Sequence, residues 1–382
     1  MTRGISALVL IDAFRMGGAE TLLAPMIVAS RDTDVTMDVV SISPADWNSE
    51  KTMAILADAG IATRSLGIRR LLDPVALPRL VKTIRQGRYD IVHAHLEMAM
   101  TLAVPAAALV GRPAVCTFHH VARPLQGRAA WRERLAVEAA TRSRRALFVS
   151  EASRRSFAET YRPNRMPKNW EVMHNGIDIS NFSPGQADPR VRSELAAGTQ
   201  GPVVVLPAAF RDFKGIPVAI KAWPAVKQRF PTAVLALTGG GELEGELRRL
   251  VADLGLGDSV NFVGVRTDMP EVYRAADVVV LPSTHGENLP TVLIEASATA
   301  CAIAASRVGG IPDIVLDGAT GLLFEPGSAD GLAEAVCRLL DDVELRRRMG
   351  AAASERARTE FSATAWLARL RTTYLEAMGV PR

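Results

Sequence analysis

The residues best placed for chemistry lie in the segment Pro282-Ser-Thr-His-Gly-Glu-Asn-Leu-Pro-Thr-Val-Leu-Ile-Glu295-Ala, which reads as a strand end, a polar loop and the start of a helix. Glu287 falls in the loop and Glu295 one to two turns inside the helix. The first turn of a helix carries backbone N–H groups with no intrahelical acceptor, so the amides around Leu289 to Val292 suit a diphosphate. A carboxylate further along can accept hydrogen bonds from a ribose diol, and one in the loop can face a sugar hydroxyl. The same spacing would serve two surface glutamates that a helix N-terminus merely favours electrostatically.

Other candidates are weaker. Gly239-Gly240-Gly241 follows a strand and raises a dinucleotide site, but the G-x-x-G continuation is missing and the next strand ends in Gly264 rather than an acid. It reads as a loop near the base of a bound nucleotide. His93 and His95 alternate on a strand and share a face, a spacing that can ligate metal; with no third ligand apparent, they read as cleft lining. Asp32-Thr-Asp34 matches a metal-binding D-x-D by chance, since it precedes a strand instead of following one. No metal is expected.

These residues need elements to hold them. Short β-branched runs alternate with longer amphipathic stretches, the pattern of βα units and parallel sheets. Strands are expected at residues 7–11, 35–42, 90–93, 114–118 and 146–149, and again at 203–206, 233–237, 260–263, 278–281 and 302–305. A turn-rich stretch over 175–185, continued by polar residues to Pro202, separates the two series. The expected fold is α/β, with two doubly wound parallel-sheet, Rossmann-like lobes facing across a cleft. The first lobe takes residues 1–180 and the second 181–359, while a helix over 360–382 returns to complete the first. Ligands of such sheets bind beyond the carboxyl ends of the strands. Gly17, Gly18, His93, His95, His119 and Ser150 stand there in the first half, and Lys214, the glycine triplet, Gly264 and Glu287 in the second.

A chain of 382 residues with 48% hydrophobic and 23% charged residues has material for two cores. Its net charge of +4 comes from arginine crowded into residues 123–145 and 346–358. No nucleic-acid motif accompanies these runs, so nucleic acid is not an expected partner. Solvated helix faces are the plainer reading, and contact of the first run with the inner leaflet of the cytoplasmic membrane the sharper one. Cys116, Cys301 and Cys337 sit singly in apolar runs and read as buried thiols in a reducing compartment. The N-terminus lacks a secretory h-region, and the apolar run over 98–111 is too short to span a bilayer. A cytoplasmic location is expected.

The segment around the two glutamates resembles the E-x7-E signature of glycosyltransferase family 4. In that family a strand ending in Pro-Ser leads to Glu-x-x-x-Pro-x-x-x-Glu-Ala and then to a Gly-Gly-Ile-Pro turn, here Gly309-Gly310-Ile311-Pro312. Gly17-Gly18-Ala-Glu20, Asp90-Ile-Val-His93-Ala-His95, Thr117-Phe-His119-His120, His174-Asn175-Gly176, Phe213-Lys214-Gly215 and Asp317-Gly-Ala-Thr-Gly321 follow in the family's order. The resemblance covers roughly residues 5–340. It implies GT-B architecture and retaining, metal-independent transfer of a sugar from a nucleotide diphosphate, UDP- or GDP-linked, with no cofactor. The acceptor would be a glycan, a lipid-linked species or a small molecule.

The resemblance also assigns roles. Lys214 would pair with the donor phosphates, Glu295 would bind the ribose, Glu287 would contact the transferred sugar, and His119 would hydrogen-bond one of its hydroxyls. The doublet His119-His120 leaves that last assignment open by one place. Gly17, Gly18, Arg211, Gly240, Asn288, Leu289, Pro290 and Thr291 complete the expected donor site. Family members commonly carry an arginine five residues before the lysine; here that position is Ala209, with Arg211 nearer. The expected chemistry is front-face displacement, in which the departing phosphate oxygen helps take the acceptor proton. A Lys214→Ala change is expected to lower turnover with the fold intact. Two rivals remain at this stage: a sugar-nucleotide 2-epimerase of the same architecture, and an inactive GT-B subunit that only binds.

Overall fold

The computed structural model describes residues 4–15, 22–122 and 124–380. The chain divides into two compact units, the first formed by Met1–Ile177 with Ser362–Arg382 and the second by Asp178–Phe361.

The first unit is built on a seven-stranded parallel sheet in the order β3-β2-β1-β4-β5-β6-β7. Its strands are β1 (Ile5–Ile11), β2 (Val35–Ser41), β3 (Thr63–Ser65), β4 (Ile91–His95), β5 (Ala114–Phe118), β6 (Arg145–Phe148) and β7 (Trp170–Val172). The central strands are apolar almost throughout because helices cover both faces of such a sheet. Leu8, Leu10, Val92, Ala94, Cys116, Phe118 and Phe148 form one core with residues of the helices Ala76–Gly87, Glu97–Leu109 and Gly127–Arg142. Phe118 and Phe148 stack at 4.8 Å within it.

The last helix, Ala363–Met378, belongs to this unit although it is last in the chain. Ser362 caps it by accepting the Ala365 N–H at 3.1 Å, and Gly379 ends it in the left-handed conformation. The Tyr374 hydroxyl lies 2.7 Å from His93 Nδ1, and Arg371 grips Asp34 through two bonds of 2.6 Å. Gly176 is required where the chain passes this helix: a Cβ there would sit 2.4 Å from the Ser362 carbonyl oxygen and 2.7 Å from Trp366 Cβ.

The second unit holds a six-stranded parallel sheet in the order β10-β9-β8-β11-β12-β13. These strands are β8 (Val203–Pro207), β9 (Val234–Thr238), β10 (Val260–Phe262), β11 (Val278–Leu281), β12 (Ala302–Ser306) and β13 (Leu322–Phe324). In each sheet the strand order reverses at one place, between β1 and β4 in the first and between β8 and β11 in the second. A crevice opens beyond the strand ends at such a reversal.

Three strands absent from the sequence reading, β3, β7 and β13, are each three residues long and lie at sheet edges. A run that short carries little periodicity to detect, and the equally short edge strand β10 is found only within the apolar alternation Val260-Asn-Phe-Val263. Among the described residues no helix is long and apolar enough to cross a membrane.

Candidate active site

At the reversal of the second sheet, the loops after β8 and β11 are locked together by backbone. A short 3₁₀ turn, Asp212–Lys214, ends at Gly215 with φ 65°. A Cβ on Gly215 would lie 1.9 Å from the Pro282 carbonyl oxygen, so only glycine fits both the dihedral and the contact. The Thr284 N–H donates to the Phe213 carbonyl at 2.8 Å and clips the same two loops. Lys214 is thereby delivered to the β11 loop, where its Nζ sits 2.5 Å from Glu287 Oε1. Ser283 Oγ donates to the same oxygen at 2.7 Å. Glu287 is buried, 5% exposed, and Gly309 supports its backbone so closely that a Cβ there would meet the Glu287 carbonyl oxygen at 1.9 Å. The Gly-Gly-Ile-Pro turn thus works as the backing of a carboxylate.

The helix Thr291–Ala298 follows, with Pro290 at its N-cap and no side chain capping its first amides. Asn288 and Leu289 form the half-buried approach to it. One turn in, Glu295 accepts the Tyr273 hydroxyl at 2.9 Å, and burial pushes its carboxyl above the usual range. Glu295 borders a cavity of about 260 Å³ together with Gly239, Gly240, Thr238 and the exposed apolar side chain of Val265. Thr238 Oγ1 is buried there without a hydrogen-bond partner among the described residues. Gly239 is fixed by close approach, since its Cβ would meet the Ala208 carbonyl oxygen at 1.9 Å, and the Gly240 carbonyl accepts the Phe210 N–H at 2.9 Å. The triplet therefore seals the β8 loop and lends the cavity an open backbone wall. Ala209 lies on that wall, while Arg211 is exposed and stands before the 3₁₀ turn.

Tyr273 and Thr238 escaped the sequence reading. An aromatic in a short amphipathic helix and a threonine at a strand end look like ordinary core, and only their convergence on Glu295's cavity marks them. Gly17 and Gly18 lie outside the described residues.

In the first unit, His119 sits just past β5 with Nε2 2.8 Å from His95 Nδ1. The His93 ring lies 4.2 Å from that of His95, tilted by 37°, and bonds Thr117 Oγ1 at 2.7 Å in addition to Tyr374. Both strand histidines are almost wholly buried, so they hold the core beneath the site instead of lining a cleft. Burial pushes His93 down to about 3 and drives His95 and His119 well below the usual imidazole range, so all three are neutral. His119 Nδ1 is buried and has no partner among the described residues. His120 is separated from this chain of rings: its Nε2 bonds Glu133 Oε1 at 2.8 Å. Among the described residues, Glu97, His120 and Glu133 bring their ligand atoms within 4.8 Å of one another, a closer approach to a metal-binding set than the two strand histidines.

The crevice of the first sheet holds a larger cavity, about 1010 Å³, beyond the ends of β1, β2 and β4. Asp12 forms its floor, accepting N–H bonds from Met98 at 3.2 Å and Ala99 at 2.7 Å; burial raises its carboxyl to about 7. Leu96, on its wall, adopts φ 71°, a left-handed conformation costly for leucine and of the kind that gathers at binding sites. Arginines and tryptophans from the loops after β1, β2 and β3 and from the helix Gly127–Arg142 complete the lining.

Two doubly wound units, each with its site at the strand-order reversal, define the GT-B class. The profile of Glycosyltransferase Family 4 matches residues 16–181 and that of Glycosyl transferases group 1 residues 188–356. The chain belongs to glycosyltransferase family 4. It is 36% identical over 222 residues to the D-inositol 3-phosphate glycosyltransferase of Corynebacterium glutamicum (strain R), covering 56% of this chain and 53% of that protein. It is 35% identical over 214 residues to the GDP-mannose-dependent alpha-(1-6)-phosphatidylinositol monomannoside mannosyltransferase of Mycolicibacterium smegmatis, covering 54% and 55%. The chain thus spans about half the length of these curated relatives. In fold it is similar to Anabaena HepE crystallised with UDP, with a TM-score of 0.82, 23% identity and coverage of 97% and 100%. It is also similar to a glycosyltransferase of Rickettsia africae, with a TM-score of 0.80, 18% identity and coverage of 98% and 99%.

Proposed function

We propose that the chain is a retaining, metal-independent hexosyltransferase that uses a UDP- or GDP-linked sugar, needs no cofactor and glycosylates a glycan, lipid-linked or small-molecule acceptor. The observation that carries the reading is the half-buried Lys214 paired with the buried Glu287 beside an uncapped helix start, with Glu295 in a cavity one turn on. In the free protein Glu287 holds the ammonium of Lys214 in place. A donor diphosphate, seated on the amides of Thr291 and Val292, would share that ammonium, placing positive charge where the leaving group gains negative charge. Glu295 would take the ribose diol, with the base against Val265 and the Gly239–Gly240 backbone. His119, held neutral and with Nδ1 unpartnered among the described residues, can hydrogen-bond a hydroxyl of the transferred sugar.

Glu287 Oε1 is committed to Lys214 and Ser283, which fits a carboxylate that orients a sugar better than one that attacks its anomeric carbon. The reaction then proceeds on one face of the sugar. The bond from C1 to the phosphate oxygen breaks, the acceptor oxygen bonds to C1, and the acceptor proton passes to the departing phosphate. Lysine and helix amides supply the charge a metal would otherwise supply, which supports activity that survives chelation. Buried free thiols at Cys116, Cys301 and Cys337 support a cytoplasmic location.

A thermal-shift series with UDP- and GDP-sugars tests the donor, because a ligand that binds only the folded chain raises its melting temperature. The reading predicts stabilisation by at least one of them, lost in Glu295→Ala. Epimerised sugar nucleotide from donor alone, without transfer, would replace the reading with the epimerase, and Glu295→Ala with wild-type transfer would remove the ribose assignment.

A further inference from the structure

We propose that His95 is a positioning residue for His119: its Nδ1–H donates to His119 Nε2 and so fixes His119 as the tautomer with its proton on Nδ1, ready to donate to an oxygen of the transferred sugar. The positioning stands on the first unit alone, while its consequence for transfer rests on the glycosyltransferase reading.

The sheet brings the two rings together. β4 and β5 run parallel with His95 opposite Thr117, and His119, two residues beyond Thr117, follows on the same side of the sheet. Leu96, directly after His95, leaves the strand with φ 71°, so the chain turns away there and His95 is the last side chain that β4 contributes. The ring centroids of His95 and His119 are 5.1 Å apart with 25° between their planes, and 2.8 Å separates His95 Nδ1 from His119 Nε2. His93, two residues earlier on the same face, has both nitrogens occupied, Nδ1 by the Tyr374 hydroxyl and Nε2 by Thr117 Oγ1. It has none left for a neighbour, so the pair at the strand ends is His95 with His119.

Burial keeps both rings neutral, so each carries one N–H and one bare nitrogen, and a single proton lies between Nδ1 and Nε2. The hydrogen bond that one nitrogen makes then decides the state of the other. Among the described residues the two outer nitrogens, His95 Nε2 and His119 Nδ1, are buried and have no partner. If His119 donated across the bond, His95 would carry its own proton on Nε2, an N–H sealed in the core by a side chain 1% exposed. If His95 donates, that position is a bare lone pair, and the N–H stands on His119, which is half-buried. An orphaned buried N–H is rarer in folded proteins than an under-used acceptor. The second arrangement therefore holds, and a sugar oxygen supplies the partner that the His119 N–H lacks.

His95 itself touches no substrate and acts through His119. Without it, His119 could carry its proton on either nitrogen and turn about its side-chain bonds, so the donor would face the sugar in only a fraction of the molecules. Such a loss of orientation falls on the reacting geometry, and hence on kcat, more than on the hold over the nucleotide.

Nitrogen-15 spectra of the full chain with labelled histidine rings test the tautomer, since protonated and bare ring nitrogens resonate far apart; His119→Gln assigns the His119 signals. The wild type is expected to show His119 protonated on Nδ1 and bare on Nε2. His95→Leu is expected to turn this into a mixture of tautomers, and His95→Asn, whose amide nitrogen stands where the ring Nδ1 stood, to restore it. Transfer is read as release of nucleoside diphosphate from a sugar nucleotide that stabilises the wild type. There His95→Leu is expected to lower kcat about 10–100-fold with KM little changed, the range lost when the partner that orients a functional histidine is removed, and His95→Asn to recover most of it. A cooperative melt shows that each variant is folded; if His95→Leu is not, the wild-type spectrum and His95→Asn decide. His119 protonated on Nε2 or on both nitrogens in the wild type would overturn the proposal. So would an unchanged His119 spectrum or wild-type kcat in folded His95→Leu, or a kcat that stays low in His95→Asn although the tautomer is restored. If no sugar nucleotide stabilises the wild type, the glycosyltransferase reading fails, and the spectra still decide the positioning.

Discussion

In the proposed mechanism Lys214 serves stability through Glu287 and reaction through the donor phosphate. Because Glu287 is buried, Lys214→Ala strips it of its counter-charge, and breaking a buried pair by removing one partner costs about 3 kcal/mol. The sequence alone suggests an intact fold for that variant; the geometry predicts a lower melting temperature together with slower turnover. Lys214→Ala/Glu287→Gln is expected to recover the melting temperature without recovering activity, because the phosphate still lacks its cation. A fall in kcat of about 10²–10³ fits the loss of one preorganised group at developing charge. Wild-type kinetics in the well-folded double variant would take both residues out of the mechanism. Asp12 yields a pH prediction. Burial raises its carboxyl from 3.8 to about 7, so between those values the folded chain holds a proton that the unfolded chain has released. Stability contributed by this group is therefore full below about pH 4, falls as pH climbs towards 7 and is gone above it. Thermal scans of Asp12→Asn against wild type should show the variant gaining relative stability from pH 5 to pH 8; a constant difference would place the proton elsewhere.

At the scale of elements, the glycines after strands act as spacers between loops. Gly215→Ala must relieve both a left-handed φ and a 1.9 Å approach to Pro282, so a loss of about 1–3 kcal/mol is expected, with donor stabilisation weakened because Lys214 moves with the turn. Unchanged donor binding in that variant would show that the turn does not set the lysine. The same elements mark what a reader of the sequence can and cannot find. Central strands such as β8 and β11 are legible because two-sided burial makes them unbroken apolar runs, whereas of the three-residue edge strands only β10, flanked by Val263, leaves a pattern and β3, β7 and β13 do not. The candidate donor site is legible because its parts lie on two compact motifs, the lysine turn and the paired glutamates. The arginine cavity is not, since Arg15, Arg70, Trp47 and Arg128 come from four separate segments that only the sheet's reversal gathers.

At the scale of the molecule, the two units differ in how the chain makes them. The second is drawn from one continuous stretch, while the first is closed by residues that come last. Deleting Ser362–Arg382 removes Tyr374 from His93 and Arg371 from Asp34, and uncovers the apolar side chains that pack with Trp366 and Leu370. Limited proteolysis of that truncated chain should cut the first unit early and spare the second, which keeps its nucleotide-sugar stabilisation; equal resistance of both would show the helix to be dispensable. The discontinuity also bears on biosynthesis. While the ribosome is still making Ala363–Met378, the second unit has its whole sequence available, but the first waits with a bare sheet face and a histidine lacking its phenol. Order of synthesis and order of completion are reversed, so a stall before Ala363 would release a chain whose second unit is whole but whose oldest part is open to aggregation.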